Sequence, residues 1–265
     1  MVCSASAVVC LTREEGKNKS VEDELRRRLP AGKADVREVP MVFTEAMQEG
    51  HEALVEFLAS KESRGTISYV AITSPEAMAQ FLRAYQDAGA PAGTALACVG
   101  AGTQKALDRA GLQNPPDVAF VPTRATAKDL AAELPLQAPG ARVLYPASAR
   151  AKTELQDGLA ARGCEVVRIN TYTTVAATLD KLTDEQAANA RAAAVACFAS
   201  PSAAMAWADA FGTESTLAAC IGKTSYDACV RLGWRADDVF CPDAPGLDGF
   251  ADAVEQAWAR AVQHV

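Results

Sequence analysis

Two distant stretches of this chain carry one pattern. Tyr69 to Tyr85 (YVAITSPEAMAQFLRAY) matches Val195 to Phe211 (VACFASPSAAMAWADAF): an apolar strand, a Ser-Pro pair, then a helix. Each is followed by a second match, Cys98-Val99-Gly100-Ala101-Gly102-Thr103 against Cys220-Ile221-Gly222-Lys223-Thr224-Ser225. The segments ahead of them, Ala7 to Thr44 and Arg142 to Val175, are also alike in kind: strand, polar loop, helix, then a long extended run. Such a repeat constrains the fold strongly, because each copy must bury its own apolar faces.

Strands are predicted at Ala7 to Thr12, Ile67 to Thr73, Thr94 to Val99, Val118 to Val121, Arg142 to Tyr145, Glu165 to Val175, Ala193 to Phe198, Leu217 to Ile221 and Val239-Phe240. Helices alternate with them. Ser20 is read as capping a helix from Val21 to Leu29, and Ser74-Pro75-Glu76 and Ser200-Pro201-Ser202 as opening two more. Pro146 to Lys152 is read as a turn leading a helix that ends at Gly163. Asp35 to Thr44 is extended, and Pro40 makes it an edge or crossing segment. Alternating strands and helices imply α/β architecture with mainly parallel sheets. Two similar lobes follow. The first strand-helix-strand segment can pair with the unit next to it or, across two long crossings, with the unit in the other half. In both arrangements a cleft between the lobes is the expected ligand site.

The chain has 265 residues, 49% hydrophobic and 22% charged, enough to bury a core. No apolar run approaches the ~20 residues a membrane span needs. The start, Met1 to Ala7, reads as a trimmed or mature end rather than a signal peptide. A net charge of −7 argues against nucleic acid as a partner. The eight cysteines show no Cys-x-x-Cys spacing, and Cys10, Cys98, Cys197 and Cys220 sit in apolar runs, which reads as buried free thiols. Two histidines, His51 and His264, cannot make a metal cluster. A Ser-His-Asp triad would have to use His51, expected on an exposed helix.

Two motifs imitate nucleotide sites and fail. Gly100-Ala101-Gly102 lacks its third glycine, since position 105 is lysine, and Gly222-Lys223-Thr224 lacks the leading glycine of a P-loop, since position 217 is leucine. The turns that carry Ser74, Thr103 and Ser200 could be plain helix caps. In open α/β sheets, however, these turns share the carboxyl edge, where helix N-termini offer N–H groups to carboxylates. Arg13, Lys17, Arg150, Lys152 and Lys223 fall in or beside such turns. Tyr172 stands on Ile169 to Val175, a charge-free strand rich in hydroxyls, and is either a packing residue with its hydroxyl at the rim or a catalytic group.

An ordered set of stretches resembles the uroporphyrinogen-III synthase family, most closely its plant and algal plastid branch. It runs through Leu11-Thr12-Arg13-Glu14-Glu15-Gly16-Lys17-Asn18, Ile72-Thr73-Ser74-Pro75-Glu76-Ala77, Val99-Gly100-Ala101-Gly102-Thr103 and Leu144-Tyr145-Pro146-Ala147-Ser148. It continues through Arg162 to Thr174, Ala199-Ser200-Pro201-Ser202-Ala203, Ala219 to Thr224 and Pro245-Gly246-Leu247-Asp248-Gly249-Phe250. The resemblance implies two flavodoxin-like parallel-sheet lobes joined by a two-stranded linker. One lobe would hold 1–39 and 176–265, the other 45–168, with linker strands at 40–44 and 169–175. It implies a hydro-lyase without cofactor or metal that cyclises hydroxymethylbilane to uroporphyrinogen III, losing water and inverting ring D. Tyr172 would serve the departing hydroxyl. Arg13, Ser74, Thr103, Ser148, Lys152, Ser200, Ser202, Lys223 and Thr224 would hold the substrate. Relatives often carry Thr-Thr where this chain has Thr224-Ser225, and many bacterial ones carry Arg-Gly at Ala147-Ser148. A monomer in the plastid stroma, its transit segment cut away, with substrate handed over by the preceding enzyme, completes the expectation. The alternative is a two-lobed binding protein for a polycarboxylate, without catalysis.

Overall fold

The computed structural model describes residues 6–136, 140–244 and 246–263; Met1 to Ala5, including Cys3, and Pro245 and His264 lie outside them. The chain divides into two compact units. One holds the chain through Phe43 and again from Val175 onward; the other is Thr44–Thr174.

The first unit contains β1 (Ala7–Leu11), α1 (Lys19–Arg28), β2 (Ala34–Glu38), α8 (Asp184–Arg191), β9 (Ala193–Phe198), α9 (Pro201–Phe211), β10 (Leu217–Cys220), α10 (Lys223–Leu232), β11 (Val239–Phe240) and α11 (Leu247–Val262). Its sheet runs β11-β10-β9-β1-β2, with every pair parallel. The second unit contains α2 (Gln48–Ala59), α3 (Lys61–Gly65), β4 (Ile67–Ile72), α4 (Pro75–Asp87), β5 (Ala95–Cys98), α5 (Ala101–Arg109), β6 (Asp117–Phe120), α6 (Ala127–Glu133), β7 (Arg142–Ser148) and α7 (Glu154–Ala160). Two strands, β3 (Val42–Ala46) and β8 (Glu165–Ala176), contain the points where the chain passes between units. The second sheet runs β3-β8-β7-β4-β5-β6.

Each sheet joins a strand pair from one half of the chain to a strand triplet from the other. In the first, β1 and β2 stand beside β9, β10 and β11; in the second, β7 and β8 stand beside β4, β5 and β6. The first has the flavodoxin strand order; the second has the same spatial arrangement circularly permuted, because its strand pair comes last in the chain, with β3 added at the edge. The α/β expectation therefore holds, and of the two pairings of segments the crossed one is formed.

The strands read as apolar runs because both faces are covered. Val9 and Leu11 enter one core cluster, and Cys10 between them enters another. Val195 and Cys197 alternate with Ala196 and Phe198 in the same way. In the second sheet Val70, Ile72 and Leu96 face one side, and Ala71 and Ala97 the other. This is the two-residue period of a strand, sorted onto two helical layers.

Several local expectations are corrected. Helix α1 begins at Lys19 after Asn18, so Ser20 lies inside the helix and does not cap it. The extended run around Pro40 splits: β2 belongs to the first sheet and β3 to the second. Strand β7 continues through Pro146 to Ser148. That is possible because β4 pairs with β7 only as far as Leu144, while β8 pairs with it through Ser148. The missing proline N–H thus faces a side with no ladder to interrupt. His51 is buried rather than exposed, with Nε2 2.9 Å from Asp87 on α4.

Strand β8 is held along its length. The Met47 N–H donates to Thr171 O at 2.9 Å and the Ala177 N–H to Met41 O at 3.0 Å. As the chain advances from Met41 to Met47, its partner runs back from Ala177 to Thr171, so the crossings are antiparallel. Gly50 allows a close approach: a Cβ there would lie 1.8 Å from the Asn170 carbonyl oxygen.

Candidate functional site

The carboxyl ends of each unit's strands carry most of the residues singled out from sequence, and each unit is taken by itself.

In the second unit, β4 ends at Ile72 and α4 starts at Pro75 with Ser74 as its cap. Ser74 is extended, which aims its Oγ back at the helix, and the Ala77 N–H donates to it at 3.0 Å. The same Oγ lies 2.9 Å from the Tyr172 hydroxyl. Tyr172 is only 7% exposed, and it packs in the cluster of Phe81, Leu144 and Ile72. Its phenol is thus held by an apolar body and a polar tip at the head of α4. Its backbone also serves the next turn: the Ala149 N–H donates to Tyr172 O at 2.8 Å.

Ser148 closes β7, and its Oγ accepts the Arg150 N–H at 3.2 Å. Its carbonyl and that of Ala151 both accept from Nη2 of Arg168, at 2.9 and 3.2 Å. Arg168 also donates to Asn170 and Gln156 at 2.8 Å each, and its guanidinium lies 6.0 Å from the centre of the Tyr145 ring. All these acceptors are neutral, so the charge of Arg168 stays with the turn. Lys152 is exposed on the same turn. Sequence reasoning missed Arg168, because its carbonyl partners are fixed by strand pairing rather than by local spacing.

Thr103 is corrected in role. Gly100 is the cap of α5, and Thr103 sits inside the first turn, buried. A Cβ on Gly100 would meet Ala125 Cβ at 2.7 Å, which keeps that turn tight.

In the first unit, Arg13, Glu14, Lys17, Val42, Ala199, Ser200 and Ala203 line a depression of about 200 Å³. Thr12, just before it, is buried and donates to the Cys197 carbonyl at 2.6 Å, which ties β1 to β9. Ser200 caps α9 as Ser74 caps α4: the Ala203 N–H donates to its Oγ at 3.3 Å. Here, though, its neighbour is Ser202 Oγ at 3.0 Å.

The last turn departs from expectation. Gly222 is the cap, and Lys223 and Thr224 already belong to α10. Lys223 pairs with Asp227 one helical turn on and lies over the Tyr226 ring. The bond to Asp227 raises its pKa, so it is a firm cation whose charge is already answered. Thr224 is exposed, and Ser225 is fully buried with no partner for its Oγ among the described residues. The repeat aligned Ser225, not Thr224, with buried Thr103, and that was the signal available for it.

Larger depressions lie elsewhere. One of about 580 Å³, lined by Tyr85, Thr94, Asn114 and Asp117, opens where β5 and β6 begin, the end of the sheet opposite these turns. The described cysteines are all free. Burial pushes Cys98 up to about 11 and Cys10 up to about 12, so both stay protonated and unreactive at neutral pH. Among the described residues no group of three or more His, Cys, Asp or Glu could hold a metal ion, and no helix is long and apolar enough to cross a membrane.

A family model described as uroporphyrinogen-III synthase HemD matches residues 23–250. The chain belongs to the uroporphyrinogen-III synthase family. The chloroplastic uroporphyrinogen-III synthase of Oryza sativa subsp. japonica is 37% identical over 256 residues, covering 94% of this chain and 80% of that one. The uroporphyrinogen-III synthetase of Helicobacter pylori 26695 shares the fold at 14% identity, with a TM-score of 0.58 over 95% of this chain and 99% of that one. A mutant uroporphyrinogen III synthase from the extremely thermophilic bacterium Thermus thermophilus matches at 18% identity and a TM-score of 0.49, over 98% and 100% of the two chains. Uroporphyrinogen-III synthase activity, a lyase reaction of tetrapyrrole biosynthesis, goes with membership of the family. The rival reading, a binding protein without chemistry, is not favoured.

Proposed function

We propose that this chain cyclises hydroxymethylbilane to uroporphyrinogen III, with Tyr172 at the departing hydroxyl and the strand-end turns holding the substrate's carboxylates. The observation that carries this reading is the Tyr172 hydroxyl at the head of α4, 2.9 Å from Ser74, on an otherwise buried ring.

The first step breaks the terminal C–O bond, and its electron pair leaves with the oxygen. The lone pair of the terminal pyrrole nitrogen forms the new π bond, and the proton that nitrogen then releases turns hydroxide into water. Nitrogen push makes a strong acid unnecessary; a hydrogen bond to the departing oxygen is enough, and a phenol supplies it while keeping its own proton. Closure with inversion of ring D then depends on how the chain is bent, a matter of positioning.

Binding groups follow from the same edges. In the second unit these are Thr103, Ser148 and Lys152 beside Ser74; in the first they are Arg13, Ser200, Ser202, Lys223 and Thr224. A polyanionic substrate meets a chain of net charge −7, so helix ends and hydrogen bonds carry the attachment. Substrate affinity is therefore expected to depend weakly on salt; a steep dependence would count against this picture.

The test supplies hydroxymethylbilane and follows the III isomer against the I isomer that forms spontaneously. Selective acceleration of the III isomer supports the reading, and none removes it. Because the substrate closes on its own, direct transfer from the enzyme that makes it is a reasonable arrangement, and we read the protein as a monomer. A plastid location is supported by the chloroplastic rice relative.

A further inference from the structure

We infer that Ser74 acts on the reaction through Tyr172, as a positioning residue, and not by binding a substrate carboxylate. The inference rests on the role proposed for Tyr172.

The argument is a count of protons and lone pairs. A serine hydroxyl has one proton and accepts at two positions. Ser74 Oγ already accepts the Ala77 N–H at 3.0 Å as the cap of α4. Its second contact is the Tyr172 oxygen at 2.9 Å. If Tyr172 donated in that contact, its only proton would be spent on Ser74, and the departing oxygen of the substrate would get nothing. The working arrangement is the reverse: Ser74 donates to Tyr172 O, and the Tyr172 proton turns outward.

The helix favours that direction. The N–H groups of the first turn of α4 place partial positive charge beside Ser74 Oγ. An accepted N–H bond draws electron density from the oxygen, which makes its O–H a better donor to the next group. The chain N–H of Ala77, Oγ of Ser74, hydroxyl of Tyr172 thus runs one way, from the helix end toward the substrate. One acceptor position and the only proton of Ser74 then have set duties, and a carboxylate, which can only accept, finds no proton left to bind. Ser200 is a control within the same molecule. It caps α9 in the same way, yet its side-chain partner is Ser202 at 3.0 Å rather than a phenol.

A double-mutant cycle decides the matter, with kcat and KM for the III isomer measured in S74A, S74T, Y172F and S74A/Y172F. The expected result for S74A is a kcat lower by about two- to tenfold, the value of one neutral hydrogen bond, with KM unchanged. S74T, which keeps the hydroxyl, restores kcat. In the Y172F background S74A has no further effect, because the group it acted through is gone. If the S74A loss repeats undiminished in Y172F, falls in KM, or is absent, Ser74 does not work through Tyr172 and the inference fails alone. If Y172F by itself turns over normally, the Tyr172 reading fails and takes the inference with it. Should S74A fold poorly, S74G replaces it, since glycine keeps most of the cap's stability.

Discussion

Ser74-Pro75 and Ser200-Pro201 begin helices at matching places in the two units. Both serines are extended, both accept the N–H three residues on, and both are followed by proline at the first helical position. The difference is what stands opposite. Ser74 meets the phenol of Tyr172, brought by β8, whereas Ser200 meets Ser202 from its own helix. The repeat thus supplies a cap twice, and strand pairing makes one of them part of a hydrogen-bond chain. The neighbouring turns diverge in the same sense. In the second unit Arg168 reaches across from β8 to hold the Ser148 turn; in the first, Lys223 is engaged by Asp227 within its own helix.

If the second unit holds the chemistry, Y172F should show the largest effect: a kcat lower by about ten- to a hundredfold, the value of a hydrogen bond to an oxygen gaining charge. Its melting temperature should change little, since the ring remains packed. Next is R168M. With two carbonyls of the Ser148 turn released, KM should rise by about three- to tenfold at nearly constant kcat. A drop in kcat alone would show that the turn serves the chemistry rather than binding. Third, S74A and S200A should lose similar stability in denaturant melts, about 1 kcal/mol each for a lost cap. Only S74A should lower kcat; an equal kcat loss in S200A would erase the distinction between the units.

The smallest effect concerns pH. The bond from Thr126, then the Arg124 guanidinium, holds the Asp129 carboxyl below its ordinary 3.8. Its contribution is complete above the unfolded value and is lost as pH falls through the folded one. Acid below about pH 4 should therefore weaken the α6 cap of the second unit. In acid melts D129N should show a shallower decline than the parent; an identical decline would remove Asp129 as a source of acid sensitivity.

Much of this was legible in the chain because the signals are local. Ser74-Pro75-Glu76 sets a cap within four residues, and alternating apolar residues mark strands buried on both faces. What could not be read depended on partners far away. Pro146 was expected to end a strand; it continues one, because β4 stops short of it. His51 was placed on an exposed face, but α4 covers that face and Asp87 binds the ring. Thr103 looked like a cap, yet Gly100 takes that place and the threonine is drawn into the helix. Lys223 looked available, and an i,i+4 carboxylate engages it. Arg168 gave no local sign at all.

The crossed pairing of segments has a consequence in time. Strand β1 lies between β2 and β9, and β9 begins only at Ala193. During synthesis β1 and β2 must therefore wait for everything from Glu38 to Ala193 to emerge, roughly eight to thirty seconds at ~5–20 residues per second. The second unit is complete sooner, once β8 is out, although its early strands β3 and β4 also stand beside the later β8 and β7. The unit begun first is thus completed last: β1 and β2 can pair with each other early, but the other side of β1 stays open until the strands of the second unit have all been made.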